Sequence, residues 1–332
     1  MQVTTAVRQP GAQSGTVSFV RRLTRFREFT LLLIIIGLGA ILSALSPHFL
    51  TWDNLLPTAK GLSADGIVAI GMTVALVLGG FDLSVGSVLA LAGVVAGGLY
   101  LAGFNIWLAS AAALLTGMFC GLINGYFIGR VGLNPLITTL GMMGIARGAA
   151  YVCTQGSPLS LSGTDPVFLF LGSGSVLGVP VMVLILAVLA VLGDFLLRRS
   201  TALRKVFYVG SNEKAAVLSG INVKQVKLWV YFLVASLSAL AGLLSLSRFT
   251  VAQPNAATGA ELRAISSCVI GGASLSGGEG TILGSILGVI LLALVNNGLV
   301  LLNVSMYWQD LISGVILIGA VTIDYVTHRT AH

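Results

Sequence analysis

Charge is what this sequence has least of. Lys and Arg number 18 and Asp and Glu 11 in 332 residues, 9% together, where a soluble domain carries about a quarter. Such a chain could not clothe a water-facing surface. Histidine is nearly absent: His48, His328 and His332 all lie outside the apolar runs. The three cysteines, Cys120, Cys153 and Cys268, stand singly in apolar segments, so they form neither a disulfide framework nor a clustered metal site. The dipeptide Gly-Lys never occurs, which removes a Walker-type nucleotide loop; G-x-G-x-x-G and H-E-x-x-H are missing too. No Cys–His or Ser–His–Asp set can be assembled. These absences argue against an enzyme and against a bound metal or cofactor.

What is present is hydrophobic length. Apolar residues make up 56% of the chain and its mean hydropathy is +0.99. About 20 apolar residues at 1.5 Å each cross a bilayer as a helix. Such runs occupy Phe29–Leu45, Gly66–Gly80, Val85–Ala102, Trp107–Gly129, the stretch from Asn134 to Cys153, Val179–Leu197, Leu228–Leu246, Ile282–Leu302 and Tyr307–Ile323. The expected fold class is an all-α polytopic membrane protein, with one transmembrane domain over 29–326.

Charge then orients the chain. The net charge of +7 is explained by where it sits rather than by nucleic acid. Arg8, Arg21, Arg22, Arg25 and Arg27 precede the first run, in an N-terminal basic segment at 1–28. Arg198, Arg199, Arg204, Lys205, Lys214, Lys224 and Lys227 fill a central island at 198–227. Cationic short loops stay in the cytoplasm, so both face inward, and the tail at 327–332 is expected there too. Counting crossings puts Pro47–Lys60 outside, the turn Phe81–Ser84 inside and the Ser/Gly/Pro-rich loop 154–178 in the periplasm. After the seventh span an odd number of crossings remains. That calls for about ten elements, the eighth near Arg263–Ser274. A dozen residues are too few to span, so this element is expected to be a broken or re-entrant helix, tolerated at membrane depth only where protein or a wet cavity surrounds it.

Glycine numbers 42, in ordered places. Gly117, Gly121, Gly125 and Gly129 recur every four residues, as do Gly280, Gly284 and Gly288, giving smooth faces for close helix packing. Every proline falls outside or at the edge of a span. The spans hold few ionisable groups, Arg147 being the main exception, with Asp82, Asp194, Arg248, Glu261 and Arg263 at segment ends. An ion-coupled carrier usually keeps such groups inside its spans. Neutral polar residues are there instead: Asn124, Thr138, Thr139, Ser266, Ser267, Asn296 and Asn297, with Asn134 and Ser274 as further candidate path residues. They suit an uncharged hydroxylated solute, or they bond neighbouring helices.

A conduit with no visible energy source needs a partner, and the island offers a docking point. Asn212 is expected to cap a helix starting at Glu213, with Ala215, Ala216 and Leu218 as small and apolar contacts, and Gly220 to end it. At these residues, "GSNEKAAVLSGINV" resembles the cytoplasmic coupling loop of ABC-importer permeases, whose signature is Glu-Ala-Ala and then a spaced Gly. Glu213, Ala215, Ala216 and Gly220 match; Lys214 is inserted, a departure similar to the branch handling ribose, galactose, arabinose, xylose and autoinducer-2. Three further stretches fit that branch in order: "GMTVALVLGGFDLSVGSVLALAG" (71–93), "NPLITTLGMMGIARG" (134–148) and "GAELRAISSCVIGGASLSGGEGTILGSILG" (259–288).

The resemblance implies a permease subunit of an ATP-driven sugar importer in the inner membrane, with both termini cytoplasmic. Its partners would be an ABC ATPase, as two copies or a fused tandem, a second permease subunit and a periplasmic sugar-binding protein, all amid membrane lipid. Coupling to the ATPase would fall to Asn212, Glu213, Lys214, Ala215, Ala216, Ser219 and Gly220. Gly80, Asp82, Ser84 and Gly86 would support that region or a gate. Gly271, Gly272 and Ser274 would lie near the path, beside Arg147 and the neutral polar set. An ion-coupled secondary carrier for a neutral solute is the alternative.

Overall fold

The computed structural model of the chain describes residues 14–305 and eight positions between 308 and 322. Most of the expected tenth span, Tyr307–Ile323, lies outside the described residues, as do the tail and the first 13 residues.

Among the described residues, seven helices are long and apolar enough to cross a membrane. They are α1 (Ser14–Leu45), α2 (Trp52–Val77), α4 (Ile106–Tyr126), α5 (Pro135–Thr154), α7 (Val181–Arg199), α10 (Val223–Phe249) and α12 (Ile282–Leu301). Between them lie the shorter α3 (Val85–Leu101), α6 (Pro166–Ser173), α8 (Thr201–Ser211), α9 (Glu213–Leu218) and α11 (Ala260–Ile270). The starts are written locally. Asn105, Asn134, Asp165, Asn212, Asn222 and Thr281 each accept a first-turn N–H of the helix they precede, meeting donors the helix cannot satisfy itself. Prolines follow two of these caps, at Pro135 and Pro166, where a missing N–H costs nothing.

The bundle has a centre and a periphery. In α2 and α10, 72% of the apolar window is buried, against 11% in α1 and 17% in α7. The inner pair therefore meets protein while the outer helices present Leu, Ile and Phe outward. The glycine ladder of α4 makes this approach possible. A β-carbon at Gly121 would lie 2.7 Å from the Tyr231 carbonyl oxygen, and one at Gly125 2.7 Å from Leu228 Cα, both on α10. Gly284 and Gly288 of α12 meet the Gly271 and Ser267 carbonyls in the same way. The sequence-based reading of these glycines as packing surfaces is what the structure has.

Three features differ from expectation. Helix α2 begins at Trp52, well before the predicted Gly66, and carries Pro57 inside it. A proline there loses one ladder bond, but the first turns are pinned from elsewhere. Asn54 and Asn297 of α12 exchange amide hydrogen bonds at 3.1 and 2.6 Å, and Asn297 also donates to Thr58 Oγ1 at 3.0 Å. The loop 154–178 is structured: it holds α6, β1 (Leu159–Ser160) and β2 (Ser175–Val176), which forms a hairpin with β3 (Val179–Pro180) just beyond it. Strand β1 pairs antiparallel with β4 (Val251–Ala252), tying the ends of α5 and α10 together. Helix α8 was not anticipated at all.

Helix α11 has 11 residues, about 16 Å at 1.5 Å per residue, half a bilayer. The short eighth element expected near Arg263–Ser274 is thus present as a helix over 260–270, with an irregular glycine-rich return at 271–281.

Candidate functional site

Helix α9 stands on the island as a short exposed peg. The Asn212 side chain accepts the Ala215 N–H at 2.9 Å, and Lys227 Nζ lies 2.9 Å from both oxygens of Glu213. Ser219 Oγ donates to the Ala215 carbonyl at 2.9 Å. Gly220 takes φ +79°, the left-handed conformation that ends a helix cheaply only at glycine. Ala216 is turned inward and buried, whereas Lys214, Ala215 and Val217 are exposed and Leu218 is 89% exposed. Val217 and Leu218 thus stand next to each other on the outer side of the peg.

The peg is joined to the core by glycines. A β-carbon at Gly210, in the last turn of α8, would collide with the Val77 carbonyl at the end of α2 and lie 2.8 Å from the Gly278 nitrogen. Gly278 N–H donates to that Val77 carbonyl at 2.8 Å, and one at Gly277 would lie 2.9 Å from Gly79 Cα. Three backbones meet here without side chains between them: α2, α8 and the return after α11. Displacement of one must be taken up by the others, because close-packed interiors have no slack.

The "GGFDLSVGS" turn is internal. Asp82 and Ser84 are wholly buried. Asp82 Oδ1 accepts both the backbone N–H of Ser84 at 2.7 Å and its hydroxyl at 2.5 Å. Asn124 of α4 donates to Ser84 Oγ at 3.1 Å. Asp82 is therefore a loop cap tied to α4. Gly80 admits the Tyr231 hydroxyl, 2.5 Å from where its β-carbon would be, and Gly86 admits the Ala257 carbonyl.

The other expected path residues are dispersed. Asn134 caps α5; Thr138 and Thr139 donate back to the Asn134 and Pro135 carbonyls. Ser266 and Ser267 are buried and bond within α11, Ser274 is buried in the return and accepts the Ser276 N–H, and Gly272 takes φ +104°. Asn296 is half-buried, and Asn297 joins α12 to α2. Arg147 donates to the Pro254 and Ala256 carbonyls at 2.7 and 2.8 Å, fixing the segment between α10 and α11.

That segment walls a cavity of about 480 Å³, within the roughly 300–1,000 Å³ of small-molecule sites. Asp65 of α2, Gly93 of α3, Ser245 and Phe249 of α10, Gln253 of the segment after β4 and Arg263 of α11 face it. Arg263 Nη2 lies 3.9 Å from Asp65 Oδ1, their side chains 32% and 47% exposed. Asp65 and Gln253 escaped the sequence reading. Starting span 2 at Gly66 put Asp65 one residue outside it, although it stands midway along the real helix.

The comparisons fit this architecture. Residues 62–321 match the family described as "Branched-chain amino acid transport system / permease component". The ribose import permease protein RbsC of Escherichia coli (strain K12) is 40% identical over 313 residues, covering 93% of this chain and 98% of that protein. The Bacillus subtilis (strain 168) ribose import permease is 39% identical over 86% of this chain and 88% of its own. An L-arabinose ABC transporter permease of Azospirillum brasilense is 38% identical over 89% of this chain and 86% of its own. No solved structure matches the chain. The chain belongs to this family of transport-system permease components, and with its apolar helices it is a multi-pass, all-α membrane protein.

Proposed function

We propose that the chain is the translocating membrane subunit of an ATP-binding-cassette importer for a small neutral sugar or sugar-like solute of the ribose type. Hydrolysis belongs to a separate ATPase, as two copies or one fused tandem, and a periplasmic binding protein delivers the solute. The chain sits in the inner membrane with both termini and residues 198–227 in the cytoplasm, and crosses in about ten elements of which α11 is re-entrant. A second permease subunit covers α5, whose Gly141, Gly144 and Gly148 have nothing within 4 Å of where a β-carbon would stand.

The observation that carries the reading is the peg. Helix α9 is pinned by Asn212 and by the Glu213–Lys227 pair, exposes Leu218 and leads through Gly210 to the ends of α2 and of the α11 return. A small rigid helix entering a groove on a partner is a recurrent docking mode. A push on α9 then reaches the cavity region through touching backbones. The mid-helix Asp65 weakens one argument against an ion-coupled carrier, since it adds an ionisable group within a helix to Arg147. The peg and the family speak for the driven importer.

In the complete importer reconstituted in vesicles, Leu218→Asp should cut ATP-driven uptake about tenfold while the chain stays folded, because a charge would be carried into an apolar contact. Ala216 is unsuitable for this test because its side chain is internal. Undiminished uptake by the Leu218 variant would remove α9 from the coupling role.

A further inference from the structure

The basic end of the bundle carries charge that its own acids do not answer. Arg130 sits in a short π-helical turn, Phe127–Val131, that closes α4, and Lys224 lies in the first turn of α10. Gly129 lets the two backbones meet, since a β-carbon there would lie 2.6 Å from the Lys224 carbonyl oxygen. Arg130, Lys224, Asn222 and Gln225 then line one cavity of about 320 Å³. Both cations are exposed, and neither has an ion pair or a side-chain hydrogen bond among the described residues. Asp194, just before the island, and Glu213 within it pair with Arg198 and Lys227 instead. A cavity lined by one sign of charge draws the opposite ion. A second cavity, of about 190 Å³, shares Asn222 and Gln225 with the first. Leu203 and Val206 of α8 and Val226, Trp229 and Leu233 of α10 wall it. Lys205 lines it too, again with no ion pair among the described residues.

We propose that the two cavities together seat one anionic phospholipid, its phosphate between Arg130 and Lys224 and the upper part of an acyl chain against Trp229 and Leu233. The order of residues along α10 selects the ligand. From Lys224 to Leu233 is about 14 Å at 1.5 Å per residue. Over that distance the lining changes from cationic to apolar, where the apolar run of α10 begins at Leu228. A phospholipid has the same order of chemistry from headgroup to chain, whereas a free phosphate would use the first cavity only. Trp229 is 58% exposed, and a tryptophan at the start of an apolar run belongs to the membrane interface. Basic pockets between spanning helices take anionic headgroups. A zwitterionic lipid would bring an ammonium group toward the two cations and gain less. Asn222 spends its side-chain oxygen on the Gln225 N–H at 3.1 Å. Its amide N–H and the Gln225 carboxamide remain to bond the hydroxyls of a glycerol headgroup. The inference needs only that the chain spans a bilayer and does not rest on the importer reading; that the lipid is one of the inner leaflet follows from the proposed orientation.

The test uses the full chain in nanodiscs, where both leaflets are open to it whatever its orientation. Trp52→Phe, Trp107→Phe and Trp308→Phe leave Trp229 as the one tryptophan of four. Its fluorescence is followed as lipid brominated on the acyl chain replaces plain phosphatidylcholine, supplied either as phosphatidylglycerol or as phosphatidylcholine. The expected result is half-maximal quenching by phosphatidylglycerol at a mole fraction at least about fivefold lower, the worth of one cation at such a surface. Arg130→Gln combined with Lys224→Gln should bring the two lipids level. Arg204→Gln removes a charge from the same island but lines neither cavity, so it should keep the preference. If the tryptophan variant fails to fold, native mass spectrometry of the wild-type chain with an equimolar mixture of the two lipids carries the comparison through the same substitutions. Parity between the lipids overturns the site and leaves the two cations to an acidic partner protein. A preference that Arg204→Gln lowers as much as the double variant would be a general surface field, which also overturns it. So would parity restored by an excess of inorganic phosphate, which would assign the cations to a free anion.

Discussion

Asp165 caps α6 from outside the spanning helices. Its carboxylate accepts the Val167 N–H at 2.8 Å and the Trp107 indole N–H at 3.0 Å, and these donors, the backbone one first, hold its pKa below the usual carboxylate value. A depressed folded-state pKa gives stability that is present above the ordinary value and lost as pH falls through the lowered one. Asp165→Asn keeps a capping oxygen but cannot titrate. Thermal unfolding compared at about pH 6 and about pH 3 should therefore show a smaller acid loss for the variant than for the wild type; equal losses would assign the acid sensitivity elsewhere. Cap residues of this kind were legible because they act on their own helix. Asp65 was not, because its place midway along α2 depends on a helix start where Thr51 makes no side-chain cap bond.

At the scale of elements, the glycine faces were readable and their partner was not. A four-residue period says that two backbones approach; only the structure says that Gly117–Gly129 meet α10. Gly125→Val should destabilise by about 1–3 kcal/mol or more, the usual cost of overpacking, because the obstruction is Leu228 backbone rather than a side chain that could turn away. Gly141→Ala, with open space around it, should change the isolated chain's melting temperature little. Detergent thermal stability of the two variants checks the contrast, and equal effects would mean that α4 does not pack as described. The same limit explains the missed boundaries. Pro57 reads as a breaker until Asn297 is seen bonding to Asn54, and two-residue strands such as β1 and β4 leave no periodic trace in the sequence. The bounds of helix α9 were legible, from its Asn212 cap to Gly220, because every signal for them lies within nine residues, but Ala216, expected as an outward contact, is buried.

For the whole molecule, the distribution of burial sets out the mechanics. Helices α2 and α10 form the interior, the peg hangs from α8 at the end of α2, and the cavity lies farther along the same two helices. In the proposed importer the drive enters at the peg, from a separate ATPase. Composition alone pointed to this division, since a chain with no nucleotide loop and few charges in its spans has little with which to power uptake. The most direct test is uptake of labelled D-ribose into vesicles containing the chain, with and without its ATPase and binding protein. The account predicts accumulation only when all three are present with ATP. Accumulation by the chain alone, driven by a proton or sodium gradient, would contradict it.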